Sequence, residues 1–467
     1  MPPDINPISG SFRDPSGHVF RIDGAIIRSV SPSAASRFDQ VLSTGIVDDL
    51  IKRGLLVETR KIPATVLGPR AQHAQYALEH AVIPYVTYPY EWSFQGLKAA
   101  ALRHLEIHRR CLDAGVTLSD ASAYNMQFVD TSPVFIDALS LVPYADGAPW
   151  AGHRQFCEQF LNPLLLRAWF GVPHHAWYRG SLEGIPTADI AALGRMRHRL
   201  SVPALSHVFL PAWMGKRVVK EGDKTLRKAA RVRLPKSHFA ATLGQLERWI
   251  GRLEPKDAGS SSWGNYAENN TYTEPDLQQK AAFVQDTVRE VRPSLVFDLG
   301  CNIGIYSGTA LEAGAARVIG FEADPRTLEI AFKRARSKKM KLLPLYCDAV
   351  NPSPDQGWNQ GERGGMADRA TADLVLALAF IHHLVIGRNV PLEQCVDWIA
   401  GFAKNGVVEF VGKSDPTVQK MLYLREDVFP DYQIDKFRVA LERRATIVGE
   451  LPLPNGRTLF RYHRKDG

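Results

Sequence analysis

The chain is poor in cysteine. Cys111, Cys157, Cys301, Cys347 and Cys395 stand singly among 467 residues, an odd number with no C-x-x-C pair. That pattern predicts neither a disulfide framework nor a metal site, and the five are expected to be packed thiols. No apolar run reaches 18 residues, so no membrane span is expected. The first residues, MPPDINPISGSFRDPSG, have neither a basic start nor an apolar centre, which argues against a secretory signal and for a cytoplasmic protein. Internal repeats and heptads are missing as well.

A net charge of +8 could suggest a nucleic-acid partner, but the charge is unevenly placed. Residues 216–236 hold nine Lys/Arg against two acids, and 333–341 hold six with no acid. Neither cluster has interleaved aromatics for base stacking, so nucleic acid is not expected. The first reads as a basic linker, the second as a solvated helix face.

The length allows two to three domains, and 45% hydrophobic content is ample for buried cores. The sequence places an N-terminal α+β domain at 1–215, a basic linker with a helix at 216–262, and an α/β domain at 263–467. The polar passage 254–265 precedes a predicted helix over 275–292, which Pro293 stops. Trp263, Tyr266, Asn269 and Tyr272 lie where a leading segment could cover a pocket or simply pack down.

The richest passage follows. VFDLGCNIGIYS (296–307) reads as a buried strand, a tight glycine turn and a helix start, which together cradle a nucleotide cofactor. VIGFEADP (318–325) ends its apolar run in Glu322, at nearly the spacing for an acid that receives a ribose hydroxyl pair. LLPLYCD (342–348) ends in Asp348, and DLVLALAF (373–380) is followed by His382 and His383. Strand runs separated by helix-length segments predict a doubly wound, mostly parallel sheet with its ligand at the carboxyl ends. TIVGELPLPNGRTLFRYHR (446–464) predicts a terminal antiparallel hairpin turning at Pro454-Asn455-Gly456.

These residues resemble the class I S-adenosylmethionine-dependent methyltransferases. The resemblance implies a seven-stranded Rossmann-like sheet and S-adenosylmethionine as cofactor. It places Asp298, Gly300, Cys301, Asn302 and Gly304 at the methionine part, Glu322 at the ribose and Asp348 at the adenine. Asn302 stands where many members have glycine. A dehydrogenase would show G-x-G-x-x-G instead of Gly-Cys-Asn-Ile-Gly, which demotes NAD. Methyl transfer requires donor and acceptor in line with water excluded, and His383 or His382 could supply a base or only pack the ligand. Asp373, Glu409 and Lys413 are further polar groups beside strands, with Lys413 able to meet an anionic acceptor or Asp415. LALAFIHHL and EFVGKSDPTVQKML resemble a bacterial group of nodulation-type methyltransferases associated with host-specific symbiosis, which implies a glycan or small-metabolite acceptor.

In the first half, HVFRIDGAIIRSV (18–30) predicts a hairpin around Asp23-Gly24, and 93–115 predicts an amphipathic helix ended by Gly115. LSDASAYNMQFVDTSPVFIDALS (118–140) then places Asp120 and Asn125 five apart and Asp137 twelve further on. This resembles the catalytic loop of kinase-like phosphotransferases, which implies a base Asp and two Mg²⁺ ligands. Ala138-Leu139 stands in place of Phe-Gly, and no V-A-I-K lysine is apparent upstream. Asp120 and Asn125 could instead cap a turn.

Overall fold

The structure is a computed structural model, and it describes residues 5–221, 233–256, 272–370, 372–423 and 426–465. The chain divides into two compact units: Met1–Ala258 with Gln356–Arg363, and Gly259–Asp355 with Gly364–Gly467. Trp263, Tyr266, Asn269 and most of the basic stretch 216–236 lie outside the described residues.

The first unit opens on a five-stranded antiparallel sheet in the order β1 (Ile5–Pro7), β2 (Val19–Ile22), β3 (Ala25–Val30), β5 (Tyr76–His80), β4 (Thr59–Ile62). The predicted hairpin is β2 and β3, and its turn uses Asp23 at φ 48° and Gly24 at φ 85°. Phe20, Ile22, Ile27, Leu67 and Ala77 pack together beneath this sheet. Helix α1 (Phe94–Asp113) starts at Ser93, whose side chain caps the Gly96 N–H, and Gly115 at φ 74° turns the chain after it. Beyond it, β6 (Val116–Leu118) pairs with β9 (Leu141–Pro143), and β7 (Met126–Val129) pairs with β8 (Ser132–Phe135). Helix α2 (His153–Phe156) runs through a π-helical turn, Cys157–Leu161, into α3 (Asn162–Phe170). Helix α4 (Lys236–Gly251) buries Phe239, Leu243, Leu246 and Ile250 along one face, the i, i+4, i+7, i+11 spacing of an amphipathic helix.

The second unit is a doubly wound seven-stranded sheet, as the methyltransferase resemblance implied. Its order is β12 (Leu342–Tyr346), β11 (Val318–Glu322), β10 (Val296–Leu299), β13 (Leu374–Ala377), β14 (Asn405–Phe410), β16 (Thr458–Arg464), β15 (Ala445–Pro452). Every pairing is parallel until β16 joins β14 antiparallel, and β15 completes the hairpin expected at the end of the chain. Strands β10 and β13 are buried along their whole length, which explains their near-continuous apolar sequence.

One face of the sheet is covered by α5 (Glu274–Val291), where Val284 and Val288 pack on Val296, Leu376, Val407 and Leu459. A Thr273 capping box with Asp276 begins that helix, and Arg292 at φ 50° ends it just before Pro293. On β14, Gly406 lies opposite Tyr462 of β16, and a Cβ at Gly406 would overlap the tyrosine ring. No helix among the described residues is long and apolar enough to cross a membrane.

Candidate functional site

The carboxyl ends of β10 to β14 carry the polar residues expected from sequence. After β10 the chain turns through Gly300 at φ 72°, Asn302 at φ 51° and Gly304 at φ 76° into α6 (Ile305–Glu312). A Cβ on Gly300 would lie 2.8 Å from Phe380 Cδ2, and one on Gly304 would lie 2.8 Å from Leu342 Cδ2. Glycine is therefore required at both positions by backbone and by space. Asn302 tolerates its left-handed backbone and uses its Oδ1 to accept from the Ile303 N–H at 2.7 Å. Cys301 is buried, with its N–H and that of Gly300 both donating to Phe321 O of β11.

The turn is tied to the next strand end. Glu322 accepts from the Asn302 N–H at 3.0 Å through Oε2 and from the Asp324 N–H at 2.8 Å through Oε1. Burial raises its pKa despite these two bonds. Asp348 follows β12 one residue beyond Cys347, whose N–H donates to Glu322 O at 3.1 Å, and its own Oδ1 accepts from the Val350 N–H. The structure thus brings Asp298, the glycine turn, Glu322 and Asp348 to the carboxyl ends of three adjacent strands, β10, β11 and β12. That set fits a nucleoside-bearing cofactor: a close-approach turn opening a helix, with carboxylates at three neighbouring strand ends.

Asp298 faces inward from β10. Ser307 Oγ donates to its Oδ2 at 2.5 Å, and burial raises the carboxyl pKa to about 6, against the opposing pull of Ser307 and Lys280. Beyond it lies a network that sequence reasoning caught only in part. Lys280 of α5 and Glu409 of β14 form a fully buried ion pair at 2.6 Å. Tyr272 donates to Glu409 Oε1 at 2.7 Å, and Lys280 donates to the Tyr272 hydroxyl at 2.9 Å. Arg457, from the hairpin turn, pairs with Asp415 at 2.8 Å and lies over the Tyr272 ring at 4.2 Å. Of this network only Glu409, polar beside a strand, is marked in the sequence; Lys280 and Arg457 carry no local signal, since each lies far along the chain from its partner.

One expectation is corrected. Lys413 meets Asp427 at 2.7 Å, because Asp415 is already taken by Arg457. Asp373 lies before β13 and accepts from the Ser294 and Leu295 N–H groups, so it fastens the amino ends of the strands and stands away from the site.

Helix α7 (Pro325–Ser337) follows β11, and past β13 His382 and His383 lie in the first turn of α8 (Ile381–Arg388). Their rings lie 4.1 Å apart. His382 is wholly buried and neither ring nitrogen has a hydrogen-bond partner among the described residues. His383 is half-buried, and burial together with Arg457 lowers its pKa to about 4, so it is a neutral base at pH 7. The solvated helix face expected over 333–341 is α7 and the turn after it, where Lys333, Arg336, Lys338 and Lys339 are exposed; Arg334 turns back to donate to Ile303 O at 3.1 Å.

In the first unit, Asn125 Nδ2 donates to Asp120 Oδ1 at 3.1 Å and to Asp137 Oδ2 at 3.3 Å. Arg28, on β3, pairs with both Asp137 and Asp14, and Ser140 Oγ donates to Asp137 Oδ2 at 2.5 Å. Burial opposes ionisation of Asp137, yet Arg28 and Ser140 hold its pKa below the usual carboxylate value. Asp120, half-buried and facing Asp137, is pushed up to about 6 by desolvation and by that neighbouring charge. Arg28 follows Ala25-Ile26-Ile27 on β3, a cation on the strand where the kinase-like resemblance would place a lysine.

No family model matches the chain. Among solved structures, the N-methyltransferase NodS from Bradyrhizobium japonicum WM9 in complex with S-adenosyl-L-homocysteine is 11% identical, covering 48% of this chain and 98% of that one at a TM-score of 0.33. The PH0226 protein from Pyrococcus horikoshii OT3 is 18% identical, covering 44% of this chain and 100% of that one at a TM-score of 0.30. At such scores these matches add nothing to the strand order described above. Nodulation protein NoeA of Rhizobium meliloti strain 1021 is 45% identical over 460 residues, 98% of this chain and 96% of the relative. With that identity along nearly the whole of both sequences, the chain belongs to the family of nodulation protein NoeA.

Proposed function

We propose that the protein is an S-adenosylmethionine-dependent methyltransferase acting on a small-molecule or glycan acceptor in nodulation. The carrying observation is the hydrogen bond from the Asn302 N–H to Glu322, which makes the glycine turn and the ribose-binding acid one unit. Asp298 and residues Gly300 to Gly304 hold the methionine part, Glu322 the ribose and Asp348 the adenine side. The bound cofactor supplies an electrophilic methyl group on sulfur. The protein's own task is to orient the acceptor and exclude water, since in-line displacement needs little covalent help. His383, neutral at pH 7, takes the proton of a hydroxyl or amine acceptor, while His382 packs behind it.

The test is calorimetric titration of the full chain with S-adenosylmethionine and with NAD, followed by incubation with methyl-labelled donor and oligosaccharide or amine acceptors. Saturable donor binding, no NAD binding and labelled acceptor support the reading. A chain that ignores S-adenosylmethionine overturns it.

A second reading concerns the first unit alone, and the Asn125 bridge between Asp120 and Asp137 favours it. Asp120 and Asp137 would offer carboxylate oxygens to a Mg²⁺-bound nucleotide once the Asn125 amide and Arg28, which now bond to them, give way. Magnesium-dependent ATP binding by the full chain, abolished by Asp137→Ala, is the expected result. Binding that survives the substitution assigns the nucleotide elsewhere.

A further inference from the structure

Sequence spacing pointed to no metal site, yet folding gathers two histidines and a cysteine in the first unit. His153 begins α2, Cys157 lies four residues on, and His207 comes from a separate π-helical turn, Leu205–Phe209. Their ligand atoms, one per residue, all lie within 4.8 Å of one another. We propose that His153, Cys157 and His207 form a zinc site.

The distances suit the ion. Zinc holds nitrogen at about 2.0–2.1 Å and thiolate sulfur at about 2.3 Å, so a tetrahedral site separates two nitrogens by about 3.3 Å and nitrogen from sulfur by about 3.6 Å. Cys157 Sγ stands 3.7 Å from His153 Nε2, and His153 Nε2 stands 2.9 Å from His207 Nδ1. Opening the histidine pair by about 0.4 Å admits the metal. The donor set of two imidazoles and one thiol excludes Mg²⁺ and Ca²⁺, which need oxygen ligands, and selects a borderline-soft ion.

The surroundings hold the ligands in the required state. His207 Nε2 lies 2.9 Å from Gln245 Oε1 of α4, which can only accept, so the proton sits on Nε2 and the Nδ1 lone pair faces His153. Trp150 meets the His153 ring edge-on at 5.4 Å, and Trp249 stacks on His207 at 6.3 Å. Cys157 opens one π-helical turn and His207 lies inside another, and such turns are frequent at functional sites. Cys157 and His207 are buried while His153 is half-buried, which leaves the entry path and the fourth position on its side.

On binding, the Zn–S bond replaces the thiol S–H bond and the proton leaves to buffer. His153 moves its proton from Nε2 to Nδ1, and no electron changes hands. The ion then clips two helical segments fifty residues apart to α4 through Gln245.

The experiment uses the full chain, stripped with a chelator and titrated with zinc against a chromophoric competitor, then with cobalt(II) as a spectroscopic probe. One zinc per chain, a near-ultraviolet sulfur-to-cobalt charge-transfer band and release of about one proton are expected. Cys157→Ser removes the band, and Gln245→Ala weakens zinc about 10- to 100-fold. His153→Ala, with its fold checked by circular dichroism against the parent, also abolishes stoichiometric binding. Absence of stoichiometric zinc, or a band that survives Cys157→Ser and disappears with Cys347→Ser, overturns the site. Donor binding in the second unit is measured in parallel and is independent of either outcome.

Discussion

The main-chain N–H of Asn302 donates to Glu322 at 3.0 Å, across the gap between two parallel strand ends. Glu322 is consequently a brace for the turn as well as the proposed ribose contact. Glu322→Ala leaves the Asn302 and Asp324 N–H groups without their acceptor and removes the carboxylate proposed to hold the ribose. Donor affinity should fall by about 1–3 kcal/mol. Calorimetry reads this directly, and unchanged affinity would show that the ribose lies elsewhere.

Asp298 gives the pH dependence. Its carboxyl is raised from 3.8 to about 6 by burial, so the folded protein binds this proton more tightly than the unfolded chain does. A raised folded value contributes stability that is complete below pH 3.8 and lost as pH rises through about 6. At pH 7 the buried carboxylate therefore costs about 3 kcal/mol. Asp298→Asn should be more stable than the parent at pH 7, with the advantage vanishing near pH 4, as urea midpoints across that range will show. A cationic donor favours the carboxylate, so its affinity should weaken below pH 6 in the parent and lose that dependence in the variant.

Lys280 and Glu409 are both shut away from solvent. Lys280→Met leaves the buried Glu409 with only the Tyr272 hydroxyl and the more distant Arg457, and should destabilise the second unit by about 3–5 kcal/mol. Adding Glu409→Leu should recover much of that loss, because two apolar side chains need no partner. A double-mutant cycle by denaturant unfolding measures the coupling; simple additivity would mean the pair does not act as a pair.

Two glycines with similar backbones separate strain from crowding. Gly300 at φ 72° has Phe380 against its missing Cβ, whereas Gly456 at φ 83° faces open space. Gly456→Ala should cost only the left-handed penalty of about 1–2 kcal/mol and spare donor binding. Gly300→Ala should cost more in thermal unfolding and also abolish donor binding.

Much of the second unit was legible because its information is local. The apolar runs before Glu322 and Asp348, the turn at Gly300 to Gly304 and the hairpin at Asn455-Gly456 each state their geometry within a dozen residues. The helix expected over 275–292 is Glu274–Val291 for the same reason. What escaped was pairing at a distance. Lys280 reaches Glu409 across 129 residues, and Arg28 reaches Asp137 across 109. Cys157 looked like an isolated thiol because His207 is fifty positions away, and only the i, i+4 spacing of His153 and Cys157 on one helix face hinted at it.

Gly406 and Tyr462 set the alignment of β14 against its antiparallel neighbour. Since side chains alternate across a strand, a slip of one residue would carry Glu409 to the opposite face, where Phe410 now stacks on Tyr432 at 5.0 Å. An anion would land among aromatics and Lys280 would be stranded. A glycine with no side chain thus acts as the alignment pin for an electrostatic pair three residues away, and misalignment there is punished by charge as well as by shape.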